Sequence, residues 1–339
     1  MGRKTEIELE YQPYIQGPPA PLGALYNQAA SADGVTINSW ADTWLKQIQV
    51  NKKRFGSFKA KSIGQLFGKY KRLPAIIAGS GPSLKVNSAL LKDRDGVPLI
   101  SCLHNFHHFE DQGIAPDFYV SLDAGPVVLE EVAEGGKRTP EEYWELTKDR
   151  TLIAYIGSHP DLFEKWKGPV YLFNAPVPDE NFVKKSEEVE RFNAIMSTGG
   201  NVLGACFYFA RAVLGTSTIA FVGADFSFSY DKKFHAWDSK YDKNLGHVLR
   251  VVDVFGNKVS TWQSYHNFKS WFDYVSNVVP GVYFNCTEGG TFGAYPEGNI
   301  MSVRQCELKD FLRMCRLHEE VSKALLNPEV ETKEVAILV

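Results

Sequence analysis

Leu73–Leu84 reads LPAIIAGSGPSL. The apolar run Ala75-Ile76-Ile77-Ala78 stops at Gly79-Ser80-Gly81-Pro82-Ser83-Leu84. A continuous apolar run without polar alternation marks a strand buried on both faces of a parallel sheet. The glycines that follow predict a tight turn. Small residues there let a ligand approach the backbone, and free N–H groups can face an anion. Pro82 has no N–H to give and stiffens the turn. A phosphate or nucleotide site at the carboxyl end of a first strand is the expectation. The loop has neither the Lys-Ser/Thr pair of a P-loop nor a full G-x-G-x-x-G, so an ordinary strand-to-helix turn remains the competing reading.

Downstream, strand and helix signals alternate. Strands are predicted at Val97–Cys102, Phe118–Leu122, Leu152–Ile156, Val170–Phe173, Ser217–Val222 and Val282–Asn285. Helices are predicted at Val202–Leu214, Tyr265–Val278 and Glu307–Leu326. This pattern predicts an α/β fold with a Rossmann-like, mostly parallel sheet. Upstream, residues 1–38 read as an extended arm. Residues 39–70 read as a helical extension anchored by Trp40, Trp44, Leu45, Ile48, Phe55, Phe58, Ile63, Leu66 and Phe67. Thr43 to Arg72 carries nine Lys/Arg and no Asp/Glu. A solvated helix face accounts for that run, and a patch for an acidic partner is the sharper alternative. The domain reading is 1–70 arm and helical extension, 71–300 nucleotide-binding catalytic domain, 301–339 helix and tail.

The 339 residues are 44% hydrophobic and 13% aromatic, enough for a large core. A net charge of −3 argues against bulk binding to nucleic acid. Cys102, Cys206, Cys286, Cys306 and Cys315 have no metal spacing and read as buried reduced thiols. The opening MGRKTEIELEYQ has no apolar signal core, and no run has the length of a membrane span. A cytoplasmic protein is expected, with its oligomeric state open.

Three strand ends offer ligand contacts: the glycine loop, Asp123 after FYVSL, and Asp225 after STIAFV. A carboxylate there can hold a ribose hydroxyl or a divalent metal bridging to phosphates, or can simply cap a helix. Ser197-Thr198-Gly199-Gly200-Asn201 precedes the Val202 helix. Ser197 or Thr198 is expected as the cap, with the glycines admitting an anion or a base edge. His104, His107 and His108 follow the second strand, where a loop reaches the same crevice. His235 lies ten residues past Asp225 in FSFSYDKKFHAWD. It reads as a surface histidine or as a lid residue carrying an acid or base.

The order of GSGPSL, LHNFHHFEDQGIAPDFYVSLDAGP, STGGNVLGACFYFARAVLGTSTIAFVGADFSFS and NCTEGGTFG resembles the motility-accessory-factor family. That family includes flagellin glycosyltransferases and the domain shared with archaeal-type 6-hydroxymethylpterin diphosphokinases. The same order is similar to bacterial sialyltransferases of a GT-A-like variant that use CMP-sialic acid. The resemblance covers about residues 40–300. It implies that Gly79, Ser80, Gly81, Pro82 and Ser83 hold nucleotide phosphates. It places Asn105 near the donor, Ser197, Thr198 and Gly199 against the base or ribose, and Asp225 at the G-x-D-F position. Asn285, Cys286, Thr287, Glu288, Gly289 and Gly290 match the late Asn-x-Thr-Glu-Gly-Gly stretch, with Thr287, Glu288 and Gly289 as the donor or acceptor loop. The sialyltransferases carry a catalytic histidine in a lid after G-x-D-F. His235, His247 and His266 compete for that place, with His235 ahead of His266.

The resemblance and the residues together imply a transferase that moves a nonulosonic acid from a CMP-activated donor to a hydroxyl of a sugar or protein acceptor. The alternative is an ATP-using diphosphokinase of the 6-hydroxymethylpterin type, with Mg²⁺ or Mn²⁺ held by Asp123 and Asp225. A nucleotide-binding or assembly protein without chemistry is the third reading.

Overall fold

The computed structural model describes residues 40–54, 60–71, 73–175, 182, 184, 194–230, 233–237 and 247–326. The arm predicted over 1–38 and the end of the tail lie outside the described residues. Among the described residues, nine strands form one sheet: β1 (Lys61–Ser62), β2 (Pro74–Ala78), β3 (Leu99–Cys102), β4 (Phe118–Ser121), β5 (Leu152–Tyr155), β6 (Val170–Phe173), β7 (Thr218–Val222), β10 (Val282–Asn285) and β11 (Val303–Gln305). Their order is β1-β6-β5-β4-β3-β2-β7-β10-β11, and every pairing is parallel. A two-stranded antiparallel hairpin, β8 (Leu249–Val252) and β9 (Lys258–Thr261), stands apart from it.

The sequence runs outward from β2 through β3, β4, β5 and β6, then returns to place β7 against the other side of β2. The order of strands therefore reverses between β2 and β7. Crevices at such a point, at the carboxyl ends of the strands, are where open α/β sheets bind ligands.

The apolar run of β2 is explained by its two faces. Ala75 and Ile77 enter a core with Ile100, Val120, Ile153 and Ile219. Ile76 and Ala78 enter a second core with Leu99, Ala220 and Val222. All four are fully buried, and burying each isoleucine side chain contributes about 1.5–3 kcal/mol. Both faces being covered, the strand has no use for alternation.

Several elements depart from the sequence reading. The extension predicted as helical over 39–70 is helical over 40–54, and 55–59 lie outside the described residues. Lys61 and Ser62 instead pair with Tyr171 and Leu172 as an edge strand, and a single 3-10 turn follows at Ile63–Leu66. The sheet thus extends past the 71–300 span at both ends, through β1 and β11. The helix predicted over Val202–Leu214 is α-helical to Tyr208 and widens into a π turn over Phe209–Leu214. Both the N–H and the hydroxyl of Thr216 donate to the Ala210 carbonyl, at 3.1 and 3.0 Å, which anchors the widened end. The β8–β9 hairpin had no predicted counterpart.

The 40–54 helix lies across the carboxyl edge of the sheet. The Gln47 amide donates to the Ala124 carbonyl at 2.7 Å, and the Asn51 amide donates to Ile156 and Ser158 at 2.7 and 2.8 Å. All five cysteines are free.

Candidate active site at the switch point of the sheet

A cavity of about 250 Å³ opens at the carboxyl ends of β2, β3, β4 and β7. The glycine loop gives it Gly79, Ser80 and Gly81; the segment after β7 gives Gly223 to Ser227. His104, Asp123 and Glu131 line one side, and Phe226, Phe234, Tyr265 and Phe268 give it an aromatic wall. Among the described residues, no Lys or Arg lines it.

The two loops at the switch point interlock. The Gly79 N–H donates to Val222 O at 2.9 Å, and the Gly81 N–H donates to Gly223 O at 2.8 Å. Asp225 Oδ1 accepts from the Ser83 N–H at 3.1 Å, and Oδ2 accepts from the Ser83 hydroxyl at 2.7 Å. These bonds change the reason for the glycines. A Cβ on Gly79 would lie 2.5 Å from Gly223 O, and one on Gly81 would lie 2.1 Å from Asp225 Oδ2. The glycines are there because two backbone segments meet, and the Gly81 and Ser83 N–H groups expected to face an anion are already engaged.

Gly223 and Phe226 have φ of +61 and +49. For phenylalanine this left-handed conformation is uncommon and strained, and it sits on the cavity wall. Thr291 holds it there: its N–H donates to Asp225 O at 2.7 Å and its hydroxyl to Phe226 O at 3.3 Å.

Burial pushes the Asp225 carboxyl up to about 7, against the pull of Ser83. Asp123 is likewise pushed up to about 7, first by burial, then by Glu131, with His104 pulling the other way. Both carboxyls can therefore hold a proton near neutral pH, which is the usual way an enclosed acid is tuned. His235 is pressed down to about 3 by burial and by His104, so its ring is neutral. The rings of His104 and His235 lie 4.4 Å apart. The segment carrying His235 is docked on the glycine loop, with the Ala236 N–H donating to Ser80 O at 2.9 Å. His104 Nδ1 lies 3.1 Å from Glu131 Oε1.

Of the residues singled out by sequence, Gly79, Ser80, Gly81, Asp123, Asp225 and His235 converge on the cavity. Pro82 and Ser83 stand behind it in the same turn. Asn105 is buried beneath the loop, donating to Gly79 O at 2.8 Å, and does not line the cavity. Ser197, Thr198, Gly199 and Gly200 sit just outside; Asn201, Val202 and Leu203 reach the wall instead. The helix cap expected from Ser197 or Thr198 is made by Asn201, whose Oδ1 accepts from the Gly204 N–H at 2.9 Å. The turn demands this: Gly199 and Gly200 both have positive φ, so the chain enters the helix one turn later than the hydroxyls. Thr287, Glu288 and Gly289 form a brace outside the cavity. The Thr287 hydroxyl accepts from the Ala224 N–H at 3.1 Å, and Glu288 accepts from the Leu308 N–H at 3.1 Å. His266 is half-buried on the Gln263–Val278 helix, away from the cavity, and burial and Lys269 lower its affinity for a proton. His247 is exposed.

Sequence reading missed the Glu131 partner of His104, and the cavity aromatics Tyr265 and Phe268. The two glutamates Glu130-Glu131 have no motif around them, so only the fold brings one to the site. Among the described residues, no group of three His, Cys, Asp or Glu side chains is placed to hold a metal by itself. Mg²⁺ in phosphoryl-transfer sites takes one or two carboxylates and completes its shell with phosphate and water. Asp123 and Asp225 line the cavity as separate carboxylates, one after β4 and one after β7.

Comparison with known proteins places the fold. The model of the 6-hydroxymethylpterin diphosphokinase MptE-like family matches residues 51–231, more than half of the chain. The chain belongs to that family. A search of the curated proteins finds no match. Among solved structures, the chain is similar to the MAf glycosyltransferase from Magnetospirillum magneticum AMB-1, with a TM-score of 0.54 and 17% identity. The match covers 83% of this chain and 42% of that one, so the chain spans well under half the length of that enzyme.

Proposed function

We propose that this chain is a nucleotide-dependent transferase, carrying a nonulosonic acid from a CMP-activated donor in the switch-point cavity to an acceptor hydroxyl. The observation that carries the reading is the chemistry of the cavity wall: acids and histidines, with no Lys or Arg among its described residues. A CMP-linked sugar brings one phosphodiester charge. A triphosphate brings several, which call for cations.

In this reading the aromatic wall receives the flat base, since aromatic rings pack favourably against flat π systems. Ser80, Asn201 and Ser227 offer polar contacts to the phosphate and ribose. Asp123 and Asp225, able to keep a proton near neutral pH, can donate a hydrogen bond to the phosphate oxygen that gains charge as the sugar leaves. A histidine of the cavity takes the proton of the acceptor hydroxyl.

A diphosphokinase using ATP is the second reading. It is favoured by the family membership and by two carboxylates on the cavity wall, one after β4 and one after β7. There, Asp123 and Asp225 would share Mg²⁺ with the phosphates, and the metal would supply the charge neutralisation.

A thermal-shift panel of CMP, CDP, UDP, GDP and ATP, with and without Mg²⁺, separates the readings. A ligand that binds the native state raises Tm by mass action. Stabilisation by CMP without metal is expected. Stabilisation by ATP with Mg²⁺ alone would overturn the CMP donor in favour of the diphosphokinase. No response to any nucleotide would leave a protein without this chemistry.

A further inference from the structure

We propose that His104, oriented by Glu131, is the proton acceptor of the reaction, in place of His235. The assignment rests on the transferase reading above. His104 and Glu131 both line the cavity, and their side chains meet at 3.1 Å through Nδ1 and Oε1. They come from separate elements: His104 from the 3-10 turn after β3, Glu131 from the Val127–Ala133 helix. The Phe106–Gln112 helix, which continues directly from that turn, is tied to Glu131 by a second contact, between His107 Nδ1 and the Glu131 carbonyl at 3.0 Å.

A ring nitrogen bonded to a carboxyl oxygen needs one proton in the bond. Placing it on Nδ1 leaves the lone pair of Nε2 as the acceptor. A histidine oriented in this way by a carboxylate is the recurring form of a general base. His235 lacks that arrangement. Its Nδ1 is buried without a hydrogen-bond partner, and its ring lies against the face of His104. The groups around His104 are Glu131, Asp123 after β4, His235 from the segment after β7, and His107 and His108 on the Phe106–Gln112 helix.

The step balances without a further reagent. The acceptor O–H bond breaks and its proton passes to His104 Nε2. The acceptor oxygen forms the bond to the anomeric carbon. The bond from that carbon to the phosphate oxygen breaks, and its electron pair leaves on CMP.

The test is turnover of CMP-N-acetylneuraminic acid, read as CMP release with a galactoside acceptor, in His104→Ala, Glu131→Gln and His235→Ala. His104→Ala is expected to lose about 10²–10⁴-fold in kcat with CMP affinity retained, and to regain part of it with added imidazole. His235→Ala is expected to lose less than about tenfold. In the wild type, imidazole NMR is expected to show His104 protonated on Nδ1, a state lost in Glu131→Gln. His104→Ala within about threefold of wild type overturns the assignment, as does an Nε2-protonated ring in the wild type. A wild type that binds CMP but turns over no CMP-sugar overturns the transferase reading itself, and the assignment falls with it.

Discussion

Asp225 grips the glycine turn through Ser83: one carboxyl oxygen accepts from the serine hydroxyl at 2.7 Å and the other from its N–H at 3.1 Å. The end of β7 is thereby tied to the turn after β2, and the cavity floor is built from both. Asp225 therefore holds the site together as well as facing it.

The first prediction concerns pH. Burial raises Asp225 in the folded chain to about 7, above its ordinary value of 3.8. Between those two values the folded state holds a proton that the unfolded state has released. Stability then falls as pH rises from about 4 to about 7, by on the order of 4 kcal/mol, and levels off above that. Asp225→Asn removes this titration, so its Tm is expected to vary less with pH over that window than the wild-type Tm. Parallel slopes for the two proteins would contradict it. Asp123 is raised in the same way, so the double variant is expected to flatten the profile further.

The second prediction concerns the glycines. A Cβ on Gly81 meets Asp225 Oδ2 at 2.1 Å and Gly223 O at 2.7 Å. Gly81→Ala is expected to cost about 1–3 kcal/mol in urea unfolding, as overpacking does. Gly289 has open space around its Cβ position, and Gly289→Ala is expected to change stability by less than about 0.5 kcal/mol. Equal costs at the two positions would refute the interlock.

A third concerns Asn105. Its amide supports Gly79 O from below at 2.8 Å. Asn105→Ala strands that buried carbonyl, at an expected cost of about 1–3 kcal/mol. Chemical denaturation reads the cost. Nucleotide affinity measured well below the unfolding transition is expected to change little, because Asn105 does not line the cavity.

The fourth concerns the cap. Asn201→Ala is expected to lose about 0.5–2 kcal/mol, and Ser197→Ala close to nothing, as measured by thermal unfolding. The reverse ranking would restore the cap to the serine.

The central strands were legible because their sequence is dictated by two buried faces. Ala75–Ala78 and Ile219–Val222 have no other place in a folded chain. The edges were illegible for the opposite reason. β1 has two residues and β11 three, too few to show any period, and both are held by neighbours rather than by their own preference. Local hydroxyls pointed to a cap at Ser197 or Thr198, and two positive-φ glycines moved the helix start to Asn201. The lining of the cavity was legible where each contribution lay within one segment, as in the glycine loop and at each of the two aspartates. It was illegible where it joined distant ones. His104 and Glu131 are 27 positions apart, and nothing in either neighbourhood announces the other.

The pairing of β2 with β7 matches Pro74 with Thr218 and Ala78 with Val222. These partners are about 140 residues apart along the chain, and closing a loop of that length precedes any gain from the contact. During synthesis, the β2–β6 half of the sheet leaves the ribosome with one side of β2 bare. A chain of that length lacks the cavity, because Gly223 to Ser227 supply half of its floor. Nascent chains and fragments ending before Thr218 therefore expose the naked edge of β2, a strand that the whole molecule keeps paired on both sides.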